Sequence, residues 1–210
     1  MLRKRIIPTL QLIDESLVKT VKFKSPKYIG DPVNTVRIFN ELEVDELCFL
    51  DIRATEEKRK PNMNILKEIA DECFMPLSFG GGINTVDDAI KILSIGFEKI
   101  ILNSCLFEKP QLISDIVKEA GSQSLICSVD VNRNIFGKYK IYKNSGRIKT
   151  DYELLEWLKI VQNEGVGEVM LTSIEREGTW KGFDTKLFKT AADFLKVPLI
   201  CNGGAGSIMD

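Results

Sequence analysis

Short, almost unbroken apolar runs alternate along the chain with longer stretches in which apolar residues return every three or four positions. The runs cover residues 5–11, 46–51, 76–80, 99–103, 124–130, 168–173 and 198–202. Their centres, LCFL and KIIL among them, lack a polar alternation, which is the pattern of strands buried on both faces. The stretches between them carry helix signals. Asp31 followed by Pro32 predicts an N-cap with proline in the first turn. Thr85 with Asp88 predicts a capping box in which aspartate replaces the usual glutamate. Val86, Ala89, Ile90 and Leu93 are then expected on one buried face, with Gly96 as the stop. The same spacing recurs in Leu112, Ile113, Ile116, Val117 and Ala120, and again in Leu154, Leu155, Leu158 and Val161. Strands alternating with helices of this length predict an α/β fold, a parallel sheet covered by helices.

Two segments depart from the alternation. Residues 138–150 read as two polar β-runs around Asn144-Ser145-Gly146, a hairpin inserted after the fifth strand. Residues 17–23 look extended rather than helical. An internal echo narrows the topology further. ELCFLDI at 46–52 recurs as EVMLTSI at 168–174, and GGGI at 80–83 recurs as GGAG at 203–206. Two four-strand halves related in this way predict a TIM (β/α)8 barrel of two similar half-barrels, in a single domain over residues 1–210. Seven barrel strands can be counted. The chain stops at Asp210 where a seventh helix would begin, so a last helix, strand and helix are expected to be lacking.

Composition removes several chemistries. The 210 residues carry a formal net charge of −1, giving no bulk attraction to nucleic acid or an anionic membrane. No apolar run approaches the roughly 20 residues that cross a bilayer, and no secretory signal is evident, so a cytoplasmic protein is expected. The five cysteines stand singly within apolar segments, as buried thiols do, and do not suggest disulfides or zinc. With no histidine, the commonest general base and transition-metal ligand is missing; acid–base work falls to Asp, Glu, Lys, Tyr or Cys, and no metal or cofactor is expected. The basic run Lys58, Arg59 and Lys60 reads equally well as a solvated loop.

In barrels the active site lies where strands run out into βα loops, and polar residues collect there: Gln11, Asp51, Asn103, Ser104, Asp130, Thr172 and Ser173. Any one of them could simply cap the next helix. The clusters Gly80-Gly81-Gly82 and Gly203-Gly204-Ala205-Gly206 each follow a strand. Their backbone N–H groups could close on a phosphate, or the glycines could serve tight turns alone. Two clusters in equivalent places favour a ligand with a phosphate at each end. At the other strand ends stand Arg5, Glu46, Lys99 and Glu168, two cations and two anions that could form a salt-bridged ring at the barrel floor.

The chain resembles the cyclase subunit of imidazole glycerol phosphate synthase, the barrel partner of a glutamine amidotransferase. The likeness runs through LRKRIIP, SLVKTVKF, GDPV, DELCFLDI, PLSFGGGI, EKIILNS, GSQSLICSVD, GEVMLTSIEREGT and ICNGGAG, and covers essentially every residue. The resemblance implies a lyase-type barrel that receives ammonia from a class I glutaminase subunit at its floor and acts on a phosphorylated small molecule. By position in these motifs, Asp130 matches one catalytic aspartate, Lys19 a loop lysine and Asp51 a mouth carboxylate. Gly81, Gly82, Asn103 and Ser104 fall on one phosphate site, with serine where threonine is usual. Thr172, Gly178, Gly203 and Gly204 fall at the second. Arg5, Glu46, Lys99 and Glu168 match the family's gate to an ammonia channel.

One departure stands out: the family's first catalytic aspartate is Gln11 here, and an amide cannot exchange a proton near neutral pH as a carboxylate does. Glu177 also replaces a usual aspartate. A kept gate beside a halved acid–base pair resembles a paralogous branch that supports amidation of a surface-polysaccharide sugar, with a sugar amidotransferase as a further partner. LVKTVKFKSPKYIGDP and NELEVDEL resemble that branch as well. A histidine-pathway cyclase and a non-catalytic scaffold that activates a glutaminase are the alternatives.

Overall fold

The structure, a computed structural model, describes residues 4–207 and 209–210; Leu2 and Arg3 of the opening LRKRIIP motif lie outside the described residues. In chain order the first elements are β1 (Thr9–Ile13), β2 (Ser16–Val21), β3 (Lys24–Gly30), α1 (Pro32–Leu42), β4 (Leu47–Asp51), α2 (Met63–Glu72), β5 (Leu77–Gly80), α3 (Val86–Ser94) and β6 (Lys99–Leu102). A 3-10 turn, Ser104–Phe107, leads to α4 (Leu112–Ala120), β7 (Leu125–Arg133), β8 (Tyr139–Lys143) and β9 (Ile148–Lys149). The last elements are α5 (Leu154–Asn163), β10 (Glu168–Ser173), α6 (Thr185–Ala192) and β11 (Leu199–Asn202). This is the α/β barrel plan, with the seven expected barrel strands as β1, β4, β5, β6, β7, β10 and β11 among the described residues.

The chain divides into two compact units. The first comprises Lys27–Ile101 and the residues up to Lys19; the second comprises Thr20–Pro26 and Leu102–Asp210. In the first, β1 pairs in parallel with β4, β4 with β5, and β5 with β6, while β2 adds antiparallel to β1. The register sets rows of residues side by side. Thr9 faces Cys48, Cys48 faces Ser78 and Ser78 faces Lys99; two positions along, Gln11 faces Leu50, Leu50 faces Gly80 and Gly80 faces Ile101. Phe49, Phe79, Leu66, Ile69 and Ile92 are fully buried, and Phe79 meets Phe97 edge-on at 6.0 Å between ring centroids. In the second unit β7 pairs in parallel with β10, and β10 with β11; β8 and β9 extend β7 as an antiparallel hairpin. Its core centres on Trp157, stacked on Phe107 at 4.3 Å and against Tyr152 at 4.8 Å. Burying side chains of this size stabilises each unit by about 2 kcal/mol apiece.

The helix starts follow the predicted chemistry. Asp31 accepts the Asn34 N–H with Pro32 in the first turn, and Thr85 accepts the Asp88 N–H. The reciprocal half of the capping box is displaced by one residue, since Asp88 accepts from the Asn84 N–H and pairs with Lys60 at 3.0 Å. Three sequence expectations need correction. The first strand begins at Thr9 rather than residue 5, because the Ile6 N–H donates to the Asp45 carboxylate and proline at position 8 has no N–H. The fifth barrel strand runs on to Arg133, where pairing with β8 sustains it past the barrel row. On α3 and α5 the buried faces are rotated: Ile92 and Trp157 are buried, whereas Ile90 and Leu155 are exposed. Of the cysteines, Cys48 and Cys127 are buried as expected, and burial pushes the Cys48 thiol up to about 12, but Cys201 on β11 is exposed. β3 is exposed along its whole length up to Gly30.

Candidate functional site

In the second unit the strand ends bring four polar side chains together. Asp130 closes the apolar part of β7, and the register places Thr172 of β10 beside it and Asn202 of β11 beside Thr172. Asn103, just past β6, donates through Nδ2 to Asp130 Oδ2 at 2.8 Å. The register sets the Thr172 hydroxyl beside the same carboxylate, where it favours the charged form, and Asn202 Nδ2 donates to Thr172 Oγ1 at 3.1 Å. Asp130 is 6% exposed. Burial raises its carboxyl against the pull of the Asn103 and Thr172 hydrogen bonds, leaving it at about 7. A carboxyl so placed can release or take a proton near neutral pH. The Asn103 Oδ1 atom is buried without a hydrogen-bond partner, an acceptor that a ligand N–H or O–H could satisfy.

The loops of this unit are tied together. Ser104 Oγ accepts the Asn144 N–H at 2.9 Å, fixing the β8–β9 turn, whose Asn144 and Ser145 are left-handed. Glu177, buried in the loop after β10, holds the tip of the β2–β3 hairpin. Its carboxylate accepts the Thr20 hydroxyl at 2.8 Å and the Phe23 N–H at 2.9 Å, and its carbonyl accepts the Lys22 N–H at 3.0 Å. Gly178 has a positive φ of 68°, and a Cβ there would lie 2.3 Å from the Thr20 carbonyl oxygen, so only glycine allows this approach. Gly203 and Gly204 likewise lie against the backbone of Ser173 and Gly182. These glycines are required by packing whether or not they also face a phosphate. Arg133 and Tyr139 both bond Asp184, the N-cap of α6, at 2.8 and 2.9 Å.

In the first unit Gln11 lies half-buried near the end of β1, opposite Leu50, and Lys19 is exposed on β2. Asp51 is fully engaged. Its Oδ1 accepts the N–H groups of Arg53 and Ala54, and both oxygens take Arg59 in a fork at 2.8 and 3.1 Å. Arg59 also pairs with Glu57 and Asp14, which together with Asp51 raise its basicity further. Arg59 therefore anchors the loop instead of being solvated. Gly81 packs on the Asp51 backbone, where a Cβ would come within 2.5 Å of the carbonyl oxygen, and Gly82 packs on that of Arg59. At the opposite strand ends Glu46, 8% exposed, pairs with Arg5 and with Lys99 at 3.2 Å. The three form a compact triad within this unit. Glu168 begins β10 of the second unit, half-buried, opposite Ile126.

The structure thus groups Asn103, Asp130 and Thr172 in one cluster and Arg5, Glu46 and Lys99 in another. It adds Asn202, Arg59 and the clasp made by Glu177, which sequence reasoning had not assigned these contacts. Asn202 follows an apolar run as Asp130 and Thr172 do, so the signal was present, but only strand register reveals that it bonds Thr172.

A family model described as histidine biosynthesis protein matches residues 5–210. A Pseudomonas aeruginosa protein with the provisional name imidazole glycerol phosphate synthase subunit hisF2 is 47% identical over 210 residues, all of this chain and 84% of that protein. A similarly provisional subunit hisF3 of Vibrio vulnificus is 43% identical, covering all of this chain and 81% of its own. The imidazole glycerol phosphate synthase subunit HisF of Alkaliphilus metalliredigens is 40% identical over 210 residues, again the whole chain and 83% of that protein. No helix among the described residues is long and apolar enough to cross a membrane.

Proposed function

Because the chain belongs to the HisF family of imidazole glycerol phosphate synthase subunits, we propose that it is the ammonia-receiving, cyclase-like subunit of a glutamine amidotransferase complex, serving amidation of a surface-polysaccharide sugar rather than histidine synthesis. The observation that carries this reading is Gln11 in place of a carboxylate at one end of the strands, together with an intact Arg5–Glu46–Lys99 triad at the other. Along β4 the side chains of Glu46, Cys48 and Leu50 share a face, as do Thr9 and Gln11 on β1. Thr9, Cys48 and Ser78 stand side by side on β1, β4 and β5, a row of small side chains along which a neutral molecule of ammonia's size could pass. Asp130 retains one acid–base group, but the amide at position 11 supplies no second. A glutaminase is the partner at the triad, a sugar amidotransferase the consumer of the product, and a phosphorylated small molecule the ligand, held in the second unit near Asn103, Ser104, Gly178 and Gly204.

The protein should therefore show at most trace turnover when given the two-phosphate phosphoribosyl intermediate of the cyclase reaction with ammonium salt, and Gln11→Asp should raise it. Robust formation of imidazole glycerol phosphate by the unaltered chain would overturn the proposal. A histidine-pathway cyclase is the second reading. It is favoured by the neutral-range carboxyl of Asp130, which could carry proton transfer alone. Rescue of a histidine auxotroph decides for it. If the barrel is only a scaffold, Asp130→Asn and Lys19→Ala leave the pathway unaffected while the glutaminase is still stimulated.

A further inference from the structure

A hydroxyl has one hydrogen to give, and what lies on one side of it decides where that hydrogen points. Thr172 sits between two neighbours that share its row: Asp130 on β7 and Asn202 on β11. Asn202 presents its amide nitrogen to Thr172 Oγ1 at 3.1 Å, so the Thr172 oxygen accepts on that side. The single hydrogen is then left for the buried Asp130 carboxylate, which takes its other donor from Asn103 Nδ2. Were the position opposite Thr172 an acceptor or apolar, the hydroxyl could turn away, and Asp130 would lose one of the two donors that favour its charged form. The parallel ladder fixes this order of side chains, because all three residues stand at the same level of adjacent strands.

We propose that Asn202 is a positioning residue that orients the Thr172 hydroxyl as a donor to Asp130. The inference deepens the reading of Asp130 as the working carboxyl, but its test needs no substrate and so stands or falls apart from that reading. Two other titratable groups lie close to Asp130: the Cys127 thiol, whose ionisation the Asp130 charge opposes, and Tyr142, its pairing partner on β8. Neither is altered by the variants below, so their influence cancels in a double-mutant cycle.

The experiment is a carboxyl carbon NMR titration of Asp130 in the whole protein, in the unaltered chain, Asn202→Ala, Thr172→Val and the double variant. Asn202→Ala is expected to raise the Asp130 midpoint by about half to one pH unit, and Thr172→Val by about one. Adding Asn202→Ala to Thr172→Val should move it no further, because the relay is already cut. The proposal is overturned if Asn202→Ala leaves the midpoint where it was, or shifts it equally in both backgrounds. Should Thr172→Val fail to fold, Thr172→Ser keeps the hydroxyl, and the Asn202→Ala shift must reappear in it; its absence there overturns the proposal too.

Discussion

Burial disfavours the charged form of Asp130, two donors favour it, and burial wins, leaving the group well above an ordinary aspartate of about 4. The consequence for stability has a definite sign. The neutral carboxyl suits its buried site, so its contribution is fully present below about pH 4 and is lost as pH rises through about 7. Unfolding midpoints in urea should therefore fall for this group between pH 4 and 8, and Asp130→Asn should flatten that fall; an unchanged slope in the variant would contradict the assignment. Arg59 makes the reverse case. Asp51 is met by a forked guanidinium and two backbone N–H groups. Replacing the arginine by methionine leaves a buried carboxylate half-supported, and should cost about 3 kcal/mol in urea unfolding. Asp130 was legible in the sequence because it ends an apolar run. Arg59 was not, because a charged residue in a basic loop gives no hint of the carboxylate it will meet eight positions back in the chain.

Among the elements, those with local chemistry were read closely. The Asp31 and Thr85 caps, the Asn144-Ser145-Gly146 turn and the extended course of residues 17–21 each follow from residues a few positions apart, whereas Lys22 and Phe23, expected to continue that run, form a turn. What escaped were outcomes set by tertiary neighbours. Ile92, not Ile90, faces inward on α3, and β7 is lengthened only because β8 pairs with it. The β2–β3 hairpin is of this second kind. Its tip residues Lys22 and Phe23 are left-handed, a costly choice for side-chain-bearing residues, and a bond from each to Glu177, with a third from Thr20, holds them there. Glu177→Ala should speed tryptic cleavage after Lys22 and Lys24 about tenfold, equivalent to about 1.4 kcal/mol of local opening, with little change in the global unfolding midpoint. Gly178→Ala should do the same through its clash with the Thr20 carbonyl. Equal cleavage rates in all three proteins would show that the clasp holds nothing.

At the scale of the whole molecule, the acid–base cluster and the charged triad are each internal to one unit, so each can be tested alone. If the triad admits ammonia from a glutaminase, Glu46→Gln should depress glutamine-driven turnover of the complex at least tenfold more than ammonium-driven turnover. An equal loss in both assays would make the triad a merely structural ion pair. The internal repeat and the alternation of runs revealed the barrel plan from the sequence. The polar contacts of the site were hidden because they depend on which strands become neighbours. One last feature bears on how the protein behaves in company. β3 stands at the end of the strand order, exposed through Ile29, and such an edge invites another chain to add a strand. Its sequence is ill suited to being copied: Pro26 offers no N–H, Ser25 is bent into the left-handed region, and Lys24 and Lys27 put like charges where two such edges would meet. A surface that invites fibre growth by its position is thus made a poor template by three or four residues, which leaves the apolar Tyr28 and Ile29 on display without making the chain adhesive to itself.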